Sequence, residues 1–310
     1  MRLVFGLALW LLAAAPLHAA EPVTTVPYTV NYNGWFTVNV MVNGQGPYDF
    51  IIDTGATQSL IFQSLADQQG FMATGGEAHT VLGLASQGTF APYLIGELKV
   101  GEAALGGLIT VILPDWSVEE RPQGIIGLDF LRNYICVFDA EKSELSLYDH
   151  DAPPPHEMIR KWKRAELKPD NFGLETNYLY TLDGRVNSRK VRFLLDLGAA
   201  GTVINRPGVA AVVRSGIAVR VRPSGGSGLS RITDALEKSA KAQVLIANRF
   251  KVGRIYWYKQ KLLIHNAPIF RELGVYNQPF GLFGADLVRG RSFLLDFEGR
   301  EFRIGKRVKR

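Results

Sequence analysis

The chain has 310 residues, 47% hydrophobic and 21% charged, with a formal net charge of +6. That length allows one large or two modest domains with real cores, and the composition excludes a mainly disordered chain. The single cysteine, Cys136, excludes an internal disulfide.

At the N-terminus, Arg2 precedes the apolar run LVFGLALWLLAAAPL and the small residues HAA before Glu21. A basic start, a hydrophobic middle and a small-residue end predict a secretory signal peptide over 1–20, cut after Ala19 or Ala20. No Cys follows the cut, so no lipid anchor is expected. The run is short for a membrane span, and no later stretch has about 18 continuous apolar residues, so none is expected in the mature chain. The expected location is periplasmic or secreted. Loss of Arg2 leaves a net charge of about +5 by side-chain counting.

The stretch WFTVNVMVNGQG (35–46) predicts a hairpin turning at Asn43-Gly44. Next, DFIIDTGATQSLI (49–61) runs apolar into Asp53-Thr54-Gly55-Ala56. An ionisable Asp ending an apolar strand is costly to desolvate, so it needs a partner or a task, although Asp and Gly also make plain turns. QSLADQQG (63–70) reads as a helix. VLGLASQGTFAP (81–92), with Gly83-Leu84 and Gly88, reads as a mobile hairpin tip. Within GIIGLDFLRNYICVFDAEKSELSL (124–147), an apolar strand enters Asp139. Cys136 there reads as a buried small hydrophobe. Three prolines and many charges in 148–173 predict a linker over 149–172 with a short helix at 156–164. RKWKR (160–164) and GKRVKR (305–310) read as solvated basic segments.

The second half repeats the first. VRFLLDLGAAGTVI (191–204) matches YDFIIDTGATQSLI (48–61), so Asp196 stands where Asp53 does. GLFGADLVRGRSFLLDFEGREFRI (281–304) matches 124–147. Asp129 and Asp286 are tempting acids, but N-capping the short helix after each is the simpler role. VRPSGGSGLSRI (221–232), with Gly225 and Gly226, is the second Gly-rich stretch, and ITDALEKSAKA (232–242) reads as a helix. Short strands and frequent turns predict an all-β, two-lobed architecture, with lobes at 21–148 and 173–310.

Duplicated lobes pack about a pseudo-two-fold axis, where a repeated element can meet itself. Two carboxylates meeting there share a proton, one serving as base on water and the other donating to a carbonyl oxygen. The duplicated Asp-Thr-Gly and Asp-Leu-Gly motifs, with IIG (125–127) and LFG (282–284), resemble the aspartic proteases of the pepsin and retropepsin type. The resemblance implies two retropepsin-like β-barrel units with a central cleft, in the manner of a fused dimer. It implies Asp53 and Asp196 as catalytic, with Thr54, Gly55, Leu197, Gly198, Gly127 and Gly284 in support and the Gly-rich stretches as flaps. It also implies a peptide or protein substrate. No cofactor or metal is expected, the lack of a nucleic-acid motif and the expected export argue against nucleic acid, and a monomer is expected.

Leu197 departs from the family's usual Thr or Ser and cannot supply half of the hydroxyl brace between lobes. Thr57 and Ala200 stand where retroviral enzymes carry a substrate-binding Asp, and neither Gly-rich stretch has an obvious flap Tyr. The expectation is an endopeptidase; the alternative is a pseudoprotease that binds peptides or an envelope partner in the same cleft. Other chemistries fit poorly. The histidines lack HExxH spacing, no GxSxG or phosphate-loop pattern occurs, and DHDAPPPHE (149–157) reads as linker before metal site.

Overall fold

The computed structural model describes residues 20–82, 87–117, 121–173, 178–213, 220–222, 231–233, 239–241 and 243–308. Residues 1–19 of the expected signal peptide lie outside these, as do Gly83, Leu84, Gly225 and Gly226. No described helix is long and apolar enough to cross a membrane.

The chain forms two closed six-stranded barrels of the same plan. In the first, the order is Phe36–Val42, Gln45–Ile52, Gly124–Ile126, Leu60–Phe62, Ala103–Leu113 and Pro92–Val100. Pro92–Val100 closes on Phe36–Val42 through Met41 opposite Lys99. In the second, the order is Leu179–Val186, Arg189–Leu195, Phe280–Phe283, Val203–Ile204, Ile255–Ile264 and Gln243–Val252. Closure there sets Arg185 opposite Lys251. Alternation drives each strand's placement: Val38, Val40 and Val42 are buried while Asn39 is exposed. Both strands that lead to the aspartates end in buried runs, Phe50-Ile51-Ile52 and Phe193-Leu194-Leu195, because they pass between other strands and the opposite lobe.

A sheet shared by both lobes joins the barrels. Its order is Lys163–Glu166, Glu301–Arg307, Arg291–Asp296, Ile135–Asp139, Glu144–Tyr148 and Thr24–Val30. At its centre Val137 lies opposite Leu294. These two residues are equivalents in the internal repeat, so the pseudo-two-fold axis passes through that pair. Phe138 stacks on Phe293 at 4.2 Å, and Phe36 meets both edge-on. Each fully buried Phe contributes about 1.5–3 kcal/mol of apolar burial.

Local expectations fare differently. The helix at 63–70 forms as Gln63–Gln69. The helix expected at 156–164 is only His156–Ile159, because Lys163–Glu166 pairs with the strand Glu301–Arg307. Lys168–Asp170 then pairs with Leu179–Val186, so the connecting stretch ends in strands of both sheets. Where a helix is expected at 232–242, the described residues are strands instead, Arg231–Thr233 paired antiparallel with Ser239–Lys241. Cross-strand pairing there overrides a helix-prone composition. A helix not foreseen, Arg206–Val213, follows Val203–Ile204 just as Gln63–Gln69 follows Leu60–Phe62.

Candidate active site

Each aspartate leaves its strand at the same register. Asp53 N–H donates to Ile126 O at 2.9 Å, and Asp196 N–H donates to Phe283 O at 3.0 Å. The next turns then tuck against the Gly-apolar strands. Leu128 N–H reaches Ala56 O at 2.9 Å, and Ala285 N–H reaches Ala199 O at 2.8 Å. Gly127 and Gly284 are required by this close approach. A Cβ on Gly127 would lie 2.6 Å from the Gln58 carbonyl carbon, and one on Gly284 would lie 2.6 Å from that of Gly201.

The two turns meet across the lobe interface. A Cβ on Gly55 would fall 2.8 Å from Asp196 Cγ, and one on Gly198 would strike the Asp53 carboxyl. Glycine in each turn therefore lets the opposite carboxyl group approach. Gly55 N–H donates to Asp53 Oδ1 at 2.7 Å and Gly198 N–H to the same oxygen at 3.2 Å, while Ala199 N–H donates to Asp196 Oδ1 at 2.8 Å. The carboxyl groups also hydrogen-bond each other. Burial raises both pKa values. Asp196 is held well above the carboxylate range, first by desolvation and then by the charge of Asp53. Asp53 rises less steeply because the Gly55 and Gly198 N–H bonds and the bond from Asp196 favour its anion. The pair thus holds one proton between its two carboxyl groups.

Thr54 is fully buried and reaches across. Its hydroxyl donates to Leu195 O at 3.0 Å and accepts from Leu197 N–H at 3.0 Å. Leu197 is also fully buried but has no hydroxyl to return the pair of bonds. A different cross-lobe contact holds the second turn: Trp35 Nε1–H donates to Gly198 O at 2.8 Å. Arg289 Nη2 donates to Ala200 O at 3.0 Å, and its guanidinium lies where a Cβ on Gly34 would be.

Asp129 and Asp286 do not N-cap the short helices after them. Gly127 and Gly284 are the N-cap positions, without side-chain bonds. Asp129 instead accepts from Ser59 N–H at 2.9 Å and from its hydroxyl at 2.6 Å, and Gly127 N–H donates to Ser59 Oγ at 3.0 Å. In the second lobe Thr202 Oγ1 donates to Asp286 at 2.6 Å and accepts from Gly284 N–H at 3.2 Å. Gln260 completes that site with a 3.0 Å bond to Asp286. Desolvation raises the Asp129 pKa, and it pushes Asp286 up to about 6. Ser59 and Thr202 stand six residues after Asp53 and Asp196, an offset that extending the repeat comparison would have revealed. Trp35 carried no such signal, and Arg289 repeats Arg132, which by itself gives no hint of a bond to Ala200.

Of the flap candidates, Gly88 lies in a described hairpin, His79–Leu82 with Gln87–Phe90. Val81 and Phe90 from that hairpin pack against a wall of Trp35, Phe62 and Trp116, with Trp35 and Trp116 centroids 4.9 Å apart. Ala200 joins the same wall from the second lobe. These wall residues are buried, so they back the hairpin and the Trp35 indole from inside the first lobe. Among the described residues no group of three or more His, Cys, Asp or Glu is placed to hold a metal ion. Cys136 is buried, and its thiol pKa is raised by desolvation.

A family model described as aspartyl protease matches residues 38–130. No curated protein sequence matches the chain. Among solved structures, the aspartic proteinase from Irpex lacteus is similar, with a TM-score of 0.53 and 12% identity over 92% of this chain and 97% of that one. At that identity the likeness speaks for the fold, which is the pepsin-like pairing of two retropepsin-like barrels. The first-lobe match and the two-barrel fold together support an aspartic protease family for this chain.

Proposed function

We propose that the chain is an aspartic endopeptidase that hydrolyses peptide bonds of extended peptides or proteins. The observation that carries this reading is the mutual fit of the two turns, in which the glycine of each makes room for the carboxyl of the other. In this reading a water molecule sits between Asp53 and Asp196. Ionised Asp53 takes a proton from the water as its oxygen attacks the scissile carbonyl carbon. Protonated Asp196 donates to the carbonyl oxygen and stabilises the tetrahedral intermediate. Collapse of the intermediate breaks the C–N bond and returns one hydroxyl proton to Asp196. The proton taken by Asp53 passes to the leaving amine, giving one new carboxyl and one new amino terminus. Because both carboxylates belong to one chain, a single copy suffices. The proposed mature enzyme starts near Glu21 and works in the periplasm or outside the cell.

Leu197 favours a second reading, a pseudoprotease that binds peptides in the same cleft, because half of the hydroxyl brace is missing. One experiment separates the two. The chain from Glu21 onward is incubated with a diverse peptide mixture from about pH 3 to pH 7.5, beside Asp53→Asn and Asp196→Asn, and products are identified by mass spectrometry. Cleavage that vanishes in both variants supports the endopeptidase. A folded protein that binds peptides but cleaves none at any pH supports the pseudoprotease.

A further inference from the structure

The two lobes differ in charge far more than in fold. Residues 21–148 carry 14 acidic and 4 basic side chains, net −10, whereas residues 149–310 carry 15 acidic and 30 basic ones, net +15. Part of that excess is organised on the outer face of the second barrel. Lys190, Arg185, Lys251 and Tyr256 lie directly opposite one another on four adjacent strands. Lys163 and Lys251 lie over the Tyr256 ring, at 5.9 and 5.2 Å from its centroid. Arg249 flanks the row, opposite Tyr258, which is 70% exposed.

None of Arg185, Arg189, Lys190, Arg249, Lys251, Lys259 and Lys261 has an acidic partner among the described residues. Like charges directly opposite on neighbouring strands destabilise a sheet, so folding alone does not favour this row. The first barrel supplies the comparison. Met41, Lys99 and Ala104 occupy the places of Arg185, Lys251 and Tyr256, and Lys99 is neutralised by Glu102. The architecture therefore does not require a row of unpaired cations there.

We propose that this face docks the protein onto a bilayer containing anionic phospholipid. The surface is a broad sheet face, suited to a flat polyanion, and its tyrosines stand among cations as interfacial aromatics do. The charge asymmetry acts on the whole molecule: an anionic plane attracts the second lobe and repels the first, which fixes orientation. Tyr256 lies seven residues, roughly 20 Å, along its strand from Leu263, which neighbours Gly201 beside the second catalytic turn. Docking therefore leaves the cleft open. The proposal does not depend on peptide cleavage.

The test is co-sedimentation of the chain from Glu21 onward with vesicles of phosphatidylcholine alone or mixed with phosphatidylglycerol. Binding is expected only to the anionic vesicles and is expected to weaken as salt rises. The triple variant R185Q/K190Q/K251Q is expected to lose about tenfold or more in partitioning, since each cation near an anionic surface contributes substantially. R185K/K190R/K251R and Lys99→Gln are expected to bind as the parent does, which separates charge from folding. Equal binding to neutral vesicles overturns the proposal, as does no binding to anionic ones or full binding by the triple glutamine variant. Retention on a single-stranded oligonucleotide without retention on vesicles also overturns it and makes nucleic acid the partner.

Discussion

The Asp53 turn and the Asp196 turn sit at the same register in equivalent barrels, yet they are held by different means. Thr54 grips the second lobe with two hydroxyl bonds, to Leu195 O and from Leu197 N–H. Leu197 returns only apolar contact. The second turn is held instead from outside, by the Trp35 indole on Gly198 O and by Arg289 on Ala200 O. A duplicated chain can do this because each half mutates separately. One hydroxyl can be lost when a group elsewhere takes over part of the constraint. The carboxyl groups share the asymmetry, since Asp53 Oδ1 receives two N–H bonds and Asp196 Oδ1 one.

The comparison can be broken most directly at the carboxylates. Asp53→Asn or Asp196→Asn is expected to lower kcat/KM by about 10⁴-fold, because the pair works as a unit. A large difference between the two variants, measured on the same peptide, would show unequal partnership. Next comes the brace. Thr54→Val is expected to lower stability by about 2–3 kcal/mol in denaturant unfolding, from two lost buried bonds, and to lower kcat by about a hundredfold through misplaced carboxylates. Leu197→Thr is expected to change kcat less than tenfold while lowering stability by about 1–3 kcal/mol, since it opens space in a buried site. If Leu197→Thr raised kcat as much as Thr54→Val lowered it, the outside grip would be irrelevant. Trp35→Phe keeps a ring against Trp116 but removes the indole donor. It is expected to cost about 1 kcal/mol and to lower kcat severalfold with little change in KM.

The smallest effect on activity concerns pH and stability. Asp286 is raised to about 6 from an ordinary 3.8, so the folded state binds its proton more tightly than the unfolded state. That stability is fully present below pH 3.8 and is lost as pH rises through about 6. Its size is on the order of 3 kcal/mol. Calorimetry between about pH 4 and pH 7 should therefore show the Tm of Asp286→Asn falling by less than that of the parent. Asp53, Asp129 and Asp196 shift in the same direction, so the fall is reduced and not abolished.

The barrels and the meeting of the two aspartates were legible because the repeat carries them. Asp53 and Asp196 share an offset, as do the IIG and LFG glycines, and strand alternation fixes which faces are buried. The partners of Asp129 and Asp286 were misread because local spacing favours an N-cap, whereas the actual donors, Ser59 and Thr202, lie on a distant turn. Trp35 was illegible for a related reason. Its bond to Gly198 spans 163 residues and has no counterpart among the described residues of the other half. The helix expected at 232–242 followed from local propensity, which yields where strands find partners. The helix at Arg206–Val213 was hidden by Pro207 and Gly208 within its first turn, although Pro near a helix start is well tolerated.

The strand pair at the pseudo-axis also bears on how the chain is made. Ile135–Asp139 pairs on one side with Glu144–Tyr148, only a few residues on, but on the other with Arg291–Asp296. On a ribosome, or during translocation, the first barrel can close while that second edge stays bare for more than 150 residues of synthesis. Such an edge is apolar at Val137 and Phe138 and is a ready template for pairing with another nascent copy. Lys163–Glu166 likewise waits for its partner strand Glu301–Arg307, made well over a hundred residues later. The strands over 291–307 therefore seal the molecule, and a truncated product lacking them would present the sticky interior of the shared sheet to its neighbours.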